Sequence, residues 1–315
     1  MKVAILTSGG DAPGMNACVL QFIDYARKNN LEPYVVTQGF KGLVYNQIFT
    51  PECLNINWDY ASIPGSIIKS ARFPNFKDEY KKAIKNLKEH QIEYLVVVGG
   101  NGSFLGAKLL SGNGIKTIFI PSTIDNDVDF TEKTIGFSSC CQEVVNTSLK
   151  IKQTFKTHNN ICLIEIMGRY CSDITIASSL VIKPSLCLTH ENKMSVNEIT
   201  EIIKQRYQKD EYAIITLTEH LYSIEEKQEI LKSLAQTCHC DTRLDVLGYV
   251  QRGASPDWND IYLANLMAVN AVLDIINNKV NQAIVLKNGQ VTSLQYNELS
   301  KVEKLGEKEL SLIND

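Results

Sequence analysis

YLVVVGGNGSFLGAKLLSGNGIKTIFIPSTIDNDVDF, residues 94–130, is the stretch whose pattern decides the fold. YLVVV is apolar on both faces and ends in glycines, a helical segment follows, and a second apolar run, KTIFI, leads into Asp125, Asp127 and Asp129. A strand apolar on both faces is buried on both, and strands that alternate with helices lie parallel in a sheet covered from either side. The pattern extends outward in both directions. KVAILT (2–7), YVVT (34–37), ICLIEI (161–166), YAIITL (212–217), LDVLGYV (244–250) and QAIVL (282–286) read as further strands, and 76–90 and 140–155 as amphipathic helices. The chain is therefore expected to be an α/β protein built on mainly parallel sheets covered by helices. From about residue 288 the sequence turns more polar, as a segment covering a sheet edge would.

Composition narrows the function classes. At 315 residues and 44% hydrophobic, the chain exceeds the roughly 250–300 residues that a single core holds, so two lobes are expected. Lys plus Arg number 32 against 35 Asp plus Glu, a formal net charge of -3, without the concentrated basic face that a polyanion requires. Nucleic acid is not the expected partner. No apolar run approaches the ~20 residues that span a bilayer, so no membrane partner is expected either. The apolar N-terminus, MKVAILT, meets Gly-Gly-Asp too soon for an export signal, and the nine cysteines are accordingly expected as thiols.

In open parallel sheets ligands sit beyond the carboxyl ends of the strands, so the loops after the strands carry the chemistry. SGGDAPGMN (8–16) is either a tight strand-to-helix turn or a cradle that brings backbone N–H groups to a phosphate at a helix N-terminus. GGNGSFLGA (99–107) repeats the arrangement, with Gly102 and Ser103 placed to donate to an anion, and two such strand ends favour phosphate over coincidental turns. There is no GxxxxGK[ST] phosphate loop, and GGNGSFLGA misses the GxGxxG dinucleotide spacing. Three carboxylates within five residues repel one another, so residues 125–129 form a solvated acidic turn or face a cation. Beside two phosphate-type loops the second reading gains a purpose. Phosphoryl transfer needs Mg²⁺ on the phosphates and a carboxylate that orients or deprotonates the attacking hydroxyl. Asp125 and Asp127 are the candidates for that work, while Asp129, farthest from the strand, fits the acidic turn. IMGRYCSD (166–173), DTRLDVLG (241–248) and VQRGASPD (250–257) add Arg169, Arg243 and Arg252, either solvated charges or bidentate grips on a substrate phosphate.

LTSGGDAPGMN, SARFPNFKDE, GGNGS, TIDND, TIGF, MGRYCSD, TEH and LGYVQRGASP occur in the order seen in bacterial-type ATP-dependent 6-phosphofructokinases. The chain resembles a divergent member of that family from residue 2 to about 285, with TIDND and GxxQRGxSP the specific motifs. The resemblance implies a larger ATP-binding lobe over 1–137 and 252–300, a smaller sugar-phosphate-binding lobe over 138–251, and a C-terminal tail over 301–315. It implies phosphorylation of fructose 6-phosphate at its 1-hydroxyl by ATP with Mg²⁺. It also implies a cytoplasmic homotetramer in which a neighbouring subunit completes the sugar-phosphate site. By position, Asp125 resembles the base at the 1-hydroxyl, with Thr123, Ile124 and Asp127 beside it, and Arg169 the residue that steadies the transferring phosphoryl group. Met167, Gly168 and Glu219 would line the sugar, and Arg243, Tyr249 and Arg252 would face its 6-phosphate, Arg243 from the neighbour. Gly10, Arg72, Phe73, Gly100, Asn101, Gly102 and Ser103 would hold ATP, with Asn101 and Asp127 on the metal side. Gly102 stands where pyrophosphate-using relatives carry a second acid and Ser122 where they carry lysine, and both point to ATP.

The departures are as specific as the matches. Asn101 stands where the family has the aspartate of GGDGS, Asn160 where it has an arginine for the substrate phosphate, and Tyr249 where it has the histidine of LGHIQRG. Each lost charge-assisted contact costs roughly 1.5–3 kcal/mol. Leu20, Asp24 and Leu54 occupy positions of effector-binding arginines, with Lys152 a basic survivor, so the usual nucleotide or phosphoenolpyruvate response is expected to be absent. These losses also open two alternatives: an impaired paralogue that serves as a binding or regulatory subunit in a hetero-oligomer with an active relative, and a kinase for another sugar phosphate.

Overall fold

The computed structural model describes residues 1–314. The chain begins β1 (Lys2–Ser8), α1 (Met15–Lys28), β2 (Glu32–Val36), α2 (Gly39–Val44), β3 (Ile48–Phe49), α3 (Phe76–Glu89), β4 (Ile92–Gly99), α4 (Asn101–Ser111) and β5 (Lys116–Pro121). It continues α5 (Phe137–Thr157), β6 (Ile161–Ile166), α6 (Asp173–Ile182), β7 (Leu186–Leu188), α7 (Val196–Asp210), β8 (Ala213–Thr218), α8 (Ile224–Cys238) and β9 (Thr242–Val246). It closes with α9 (Trp258–Ile276), β10 (Gln282–Lys287), β11 (Gln290–Gln295) and α10 (Glu307–Asn314). Two compact units result: Met1–Ser139 with Arg252–Glu303, and Cys140–Gln251 with the chain from Lys304 onward.

The first unit carries a seven-stranded sheet in the order β11-β10-β5-β4-β1-β2-β3, parallel except at its two edges. Its central strands are buried on both faces, from Val3–Leu6 on β1 to Tyr94–Val98 on β4, as their unbroken apolar character requires. The polar segment after residue 288 is the antiparallel edge strand β11, and the ring of Tyr296, which follows it, packs edge-on to Phe104. α9 is long and apolar enough to cross a bilayer, which corrects the expectation that no segment approaches that length. It is a core helix here: Leu263, Met267, Val272 and Ile275 lie buried in the unit, where α9 packs along α1.

The second unit carries a parallel four-stranded sheet, β7-β8-β6-β9. Ser195 and Ser223 start α7 and α8 through reciprocal capping boxes with Glu198 and Glu226, so both helices begin where their sequences say. Residues 301–315, expected as a tail, include α10, whose Leu310 and Ile313 pack with Ile176 of α6 and Cys187 of β7. The Asn314 side chain bonds both the N–H and the C=O of Cys187. LDVLGYV, expected as one strand, is β9 only to Val246. Gly248–Val250 then coil into a 3₁₀ turn, opened by Gly248 at φ 53°.

Candidate active site

Strand register brings three loops of the first unit into one row. Ser8 of β1 pairs with Gly99 of β4, and Gly99 with Pro121 of β5, so the loops that follow leave the sheet side by side. Gly99 is the point of closest approach. A Cβ there would lie 2.4 Å from the Ser103 hydroxyl and 2.5 Å from the Ser8 carbonyl oxygen, so the contact between them requires glycine. The buried Ser103 hydroxyl donates to that carbonyl at 3.0 Å. It is turned into the protein, and what α4 offers an anion is its backbone. Gly100 opens the helix with no side-chain cap, and nothing lies within 4 Å of the place a Gly102 Cβ would take.

The acid loop is held from several sides. Thr123 N–H donates to Ile135 O at 3.0 Å, the Thr134 hydroxyl donates to Thr123 O at 2.6 Å, and Asp125 N–H donates to the Thr123 hydroxyl at 3.2 Å. Asn126, in the left-handed region at φ 53°, donates through its amide to Glu132 O and accepts from Thr134 N–H. In this conformation Ile124 and Asp125 are buried, at 2% and 5% exposure, while Asp127 is half-buried and Asp129 exposed. Three acids in one loop thus occupy three environments. Ile124 packs its side chain inside. Asn101 Nδ2 donates to Asp127 O at 2.9 Å, and the Cβ position of Gly100 is 3.6 Å from Thr123 Cβ, so the start of α4 touches the acid loop. This corner offers carboxylate and amide oxygens, the donor set that suits a hard divalent cation.

The first glycine loop joins the same row. Gly9 N–H donates to Ala71 O at 3.2 Å, which brings the following Arg72, exposed, and Phe73, packed edge-on to Tyr45, up to that loop. Arg252 lies against it as well. Its Nη1 is 3.2 Å from the Cβ position of Gly10 and 3.9 Å from the Asp11 carboxylate, and its side chain is mostly buried.

In the second unit the segment after β6 forms a clamped arginine loop. Glu219 Oε1 accepts the N–H of Gly168 at 3.0 Å and of Arg169 at 2.7 Å. The loop needs that hold, because Arg169 stands at φ 55° and Gly168 at φ 150°, where a Cβ would meet Cys171 O at 2.4 Å. The Arg169 side chain is exposed, and Tyr170, also exposed, lies between the rings of His190 and His220. Met167, Gly168, Arg169 and Glu219 are therefore brought together. Arg243 is not: it pairs in register with Cys162, four residues before β6 ends at Ile166, about 13 Å along the strand at 3.3 Å per residue. Tyr249 is exposed in the 3₁₀ turn that follows β9.

One positioning group goes unmarked in the sequence reading. Gln251, fully buried, accepts Met167 N–H on Oε1 at 3.2 Å and donates from Nε2 to Gly248 O at 3.1 Å. It sits inside VQRGASPD (250–257), where only its polarity beside an apolar strand hints at a role. The departures have local work of their own. Asn160 Oδ1 accepts Asp241 N–H at 3.1 Å. Lys152 Nζ donates to the carbonyls of Ile182 and Lys183 at the end of α6, and burial pulls its pKa down.

Known proteins resemble the chain along most of its length. The Phosphofructokinase family model matches residues 2–275. The chain is 37% identical over 304 residues to a probable ATP-dependent 6-phosphofructokinase of Mycoplasma genitalium, covering 94% of this chain and 93% of that protein. It is 37% identical over 318 residues to the ATP-dependent 6-phosphofructokinase of Macrococcus caseolyticus, covering 100% and 98%. Among solved structures, Pichia pastoris phosphofructokinase in the T-state superposes with a TM-score of 0.84 at 26% identity, over 95% of this chain and 35% of that longer one. A pyrophosphate-dependent phosphofructokinase from Marinobacter aquaeolei shares the fold at a TM-score of 0.85 and 22% identity, over 96% of this chain and 84% of that one.

Proposed function

The chain belongs to the phosphofructokinase family, and on that premise we propose that it transfers the γ-phosphoryl group of ATP to the 1-hydroxyl of fructose 6-phosphate, a glycolytic phosphotransfer. The observation that carries this reading is the row formed by Ser8, Gly99 and Pro121, which sets two glycine loops and the acid loop side by side with Asp125 buried in the last.

The roles follow from the environments. Asp125, held back from solvent, is the base that takes the sugar hydroxyl proton, and the Thr123 hydroxyl fixes its backbone. The uncapped first turn of α4, with Gly100, Asn101 and Gly102, receives ATP phosphates with Gly10, Arg72 and Phe73, while Ser103 fixes that turn on β1. Asp127 and Asn101 would hold Mg²⁺, which supplies shielding of phosphate charge. Arg169 steadies the transferring group electrostatically, kept in place by Glu219 and Gln251 acting on its loop. Met167, Gly168 and Glu219 recognise the sugar, and Arg252 and Tyr249 its 6-phosphate. Arg243, remote from the arginine loop of its own unit, serves the site of a neighbouring subunit in a homotetramer.

ATP is favoured over pyrophosphate by the open space at Gly102 and by Ser122, whose buried hydroxyl donates to Ile135 O at 3.2 Å. The protein is read as cytoplasmic. The test is ADP release measured with fructose 6-phosphate and with other sugar phosphates, and with pyrophosphate as rival donor. Turnover that depends on fructose 6-phosphate and ATP supports the reading. Preference for another acceptor or donor, or no turnover with nucleotide binding intact, overturns it.

A further inference from the structure

We infer that Asn101 is a positioning residue: its side-chain amide ties the start of α4 to the acid loop, a bond that an aspartate at that position has no hydrogen to make. The inference rests on the phosphotransferase reading of the site. Asn101 is the first residue of α4, and its own place is firm. Ser103 and Phe104 N–H both donate to Gly100 O, at 2.9 and 3.1 Å, and the Ser103 hydroxyl anchors the turn on β1. From there Nδ2 reaches Asp127 O at 2.9 Å, an ordinary N–H···O length.

A backbone carbonyl only accepts, so the amide must turn its NH₂ toward it. An ionised carboxylate in the same place would set acceptor oxygens against an acceptor. The bond falls at the middle of the loop. Upstream, the Asn126 side chain binds the backbone of Glu132 and Thr134, and downstream Val302 N–H donates to Asp129 O at 2.7 Å. Asp127, the half-buried carboxylate on the metal side, is thus held through its own carbonyl by α4. The chain gives up one negative charge beside the metal and gains a loop fixed in the conformation that buries Asp125.

The test compares wild type with Asn101→Asp and Asn101→Ala in the full chain, by amide hydrogen exchange across residues 123–130 without ligands. Both variants lack the donor, and both are expected to exchange about fivefold faster there, the size of one lost neutral hydrogen bond. Steady-state kinetics adds a second readout. Asn101→Asp is expected to need less Mg²⁺ for half-saturation than wild type and yet to show a lower kcat, a split that charge alone does not produce. Unchanged exchange in both variants, faster exchange in Asn101→Ala only, or an Asn101→Asp kcat at or above wild type overturns the inference. The exchange arm needs no turnover, so it reads the tether even if the proposed activity fails.

Discussion

Glu219→Ala should uncouple the arginine loop from the sheet that carries it. Glu219 Oε1 accepts two backbone N–H groups, from Gly168 at 3.0 Å and Arg169 at 2.7 Å, and its side chain is 16% exposed. Hydrogen bonds to a charged group contribute about 1.5–3 kcal/mol each, and the low end suits a carboxylate with some access to water, giving about 3 kcal/mol for the pair. The loop has no reserve against that loss. Arg169 sits at φ 55°, a left-handed conformation that costs a residue with a side chain about 1–2 kcal/mol. Without its acceptor the loop is expected to hold the observed conformation about a hundredfold less often. Steady-state assays of ADP release with fructose 6-phosphate varied should show kcat/KM about a hundredfold lower, with kcat falling as the role proposed for Arg169 on the transferring group requires. Glu219→Gln keeps an uncharged acceptor and should lose about tenfold, since charge-assisted bonds are roughly twice as strong as neutral ones. If Glu219→Ala raises KM for the sugar phosphate and leaves kcat unchanged, Glu219 is a sugar contact only, and the clamp argument is wrong.

Two other outcomes follow from buried and spent charges. Asp260 accepts from Gly136 N–H and from the N–H and hydroxyl of Ser139, and burial pushes its carboxyl up to about 6. A carboxyl raised in the folded state stays protonated there while the unfolded chain ionises. The stability it carries is therefore full below about pH 4 and lost as pH rises through about 6. Urea unfolding should show wild type losing roughly 2 kcal/mol relative to Asp260→Asn between pH 4 and 7, and a constant or growing advantage would contradict the assignment. Saturating ADP or phosphoenolpyruvate should leave the fructose 6-phosphate saturation curve in place. The cavity of about 440 Å³ beside α1 is lined by Leu20, Ile23, Asp24, Ile56 and Trp58, and its one cation, Arg27, pairs with Glu52. Lys152 is spent on two carbonyls, so a displaced curve would show that an anion site survives elsewhere.

The fold was legible where burial left a mark on composition. β1, β4, β5 and β10 each carry an unbroken apolar run because helices cover them, and β6 and β8 read as strands with a single polar interruption each, Glu165 and Thr216. β3 is two residues, β7 three, and β11 is a half-exposed edge, so none carries enough apolar signal to stand out. The site was legible as loops and less so as contacts. The Asp125–Asp127–Asp129 cluster named the acid loop, and its sequence order matches a real gradient from buried to exposed. What could not be read was direction: that Ser103 points inward to Ser8, that Asn101 spends its amide on Asp127 O, and that Gln251 is buried under Met167. Those bonds join residues 26 to 95 positions apart and depend on strand register, which residue types alone do not specify.

Asp125→Asn tests the central claim most directly. The side chain keeps its size and one acceptor oxygen but can no longer take a proton, and general-base catalysis contributes about 10²–10⁴ in rate. Fructose-6-phosphate-dependent ADP release by wild type should exceed that of the variant by at least about a hundredfold, with ATP binding by calorimetry unchanged. Equal release from both proteins, whether at full rate or at background, would contradict the assignment of Asp125 as the base.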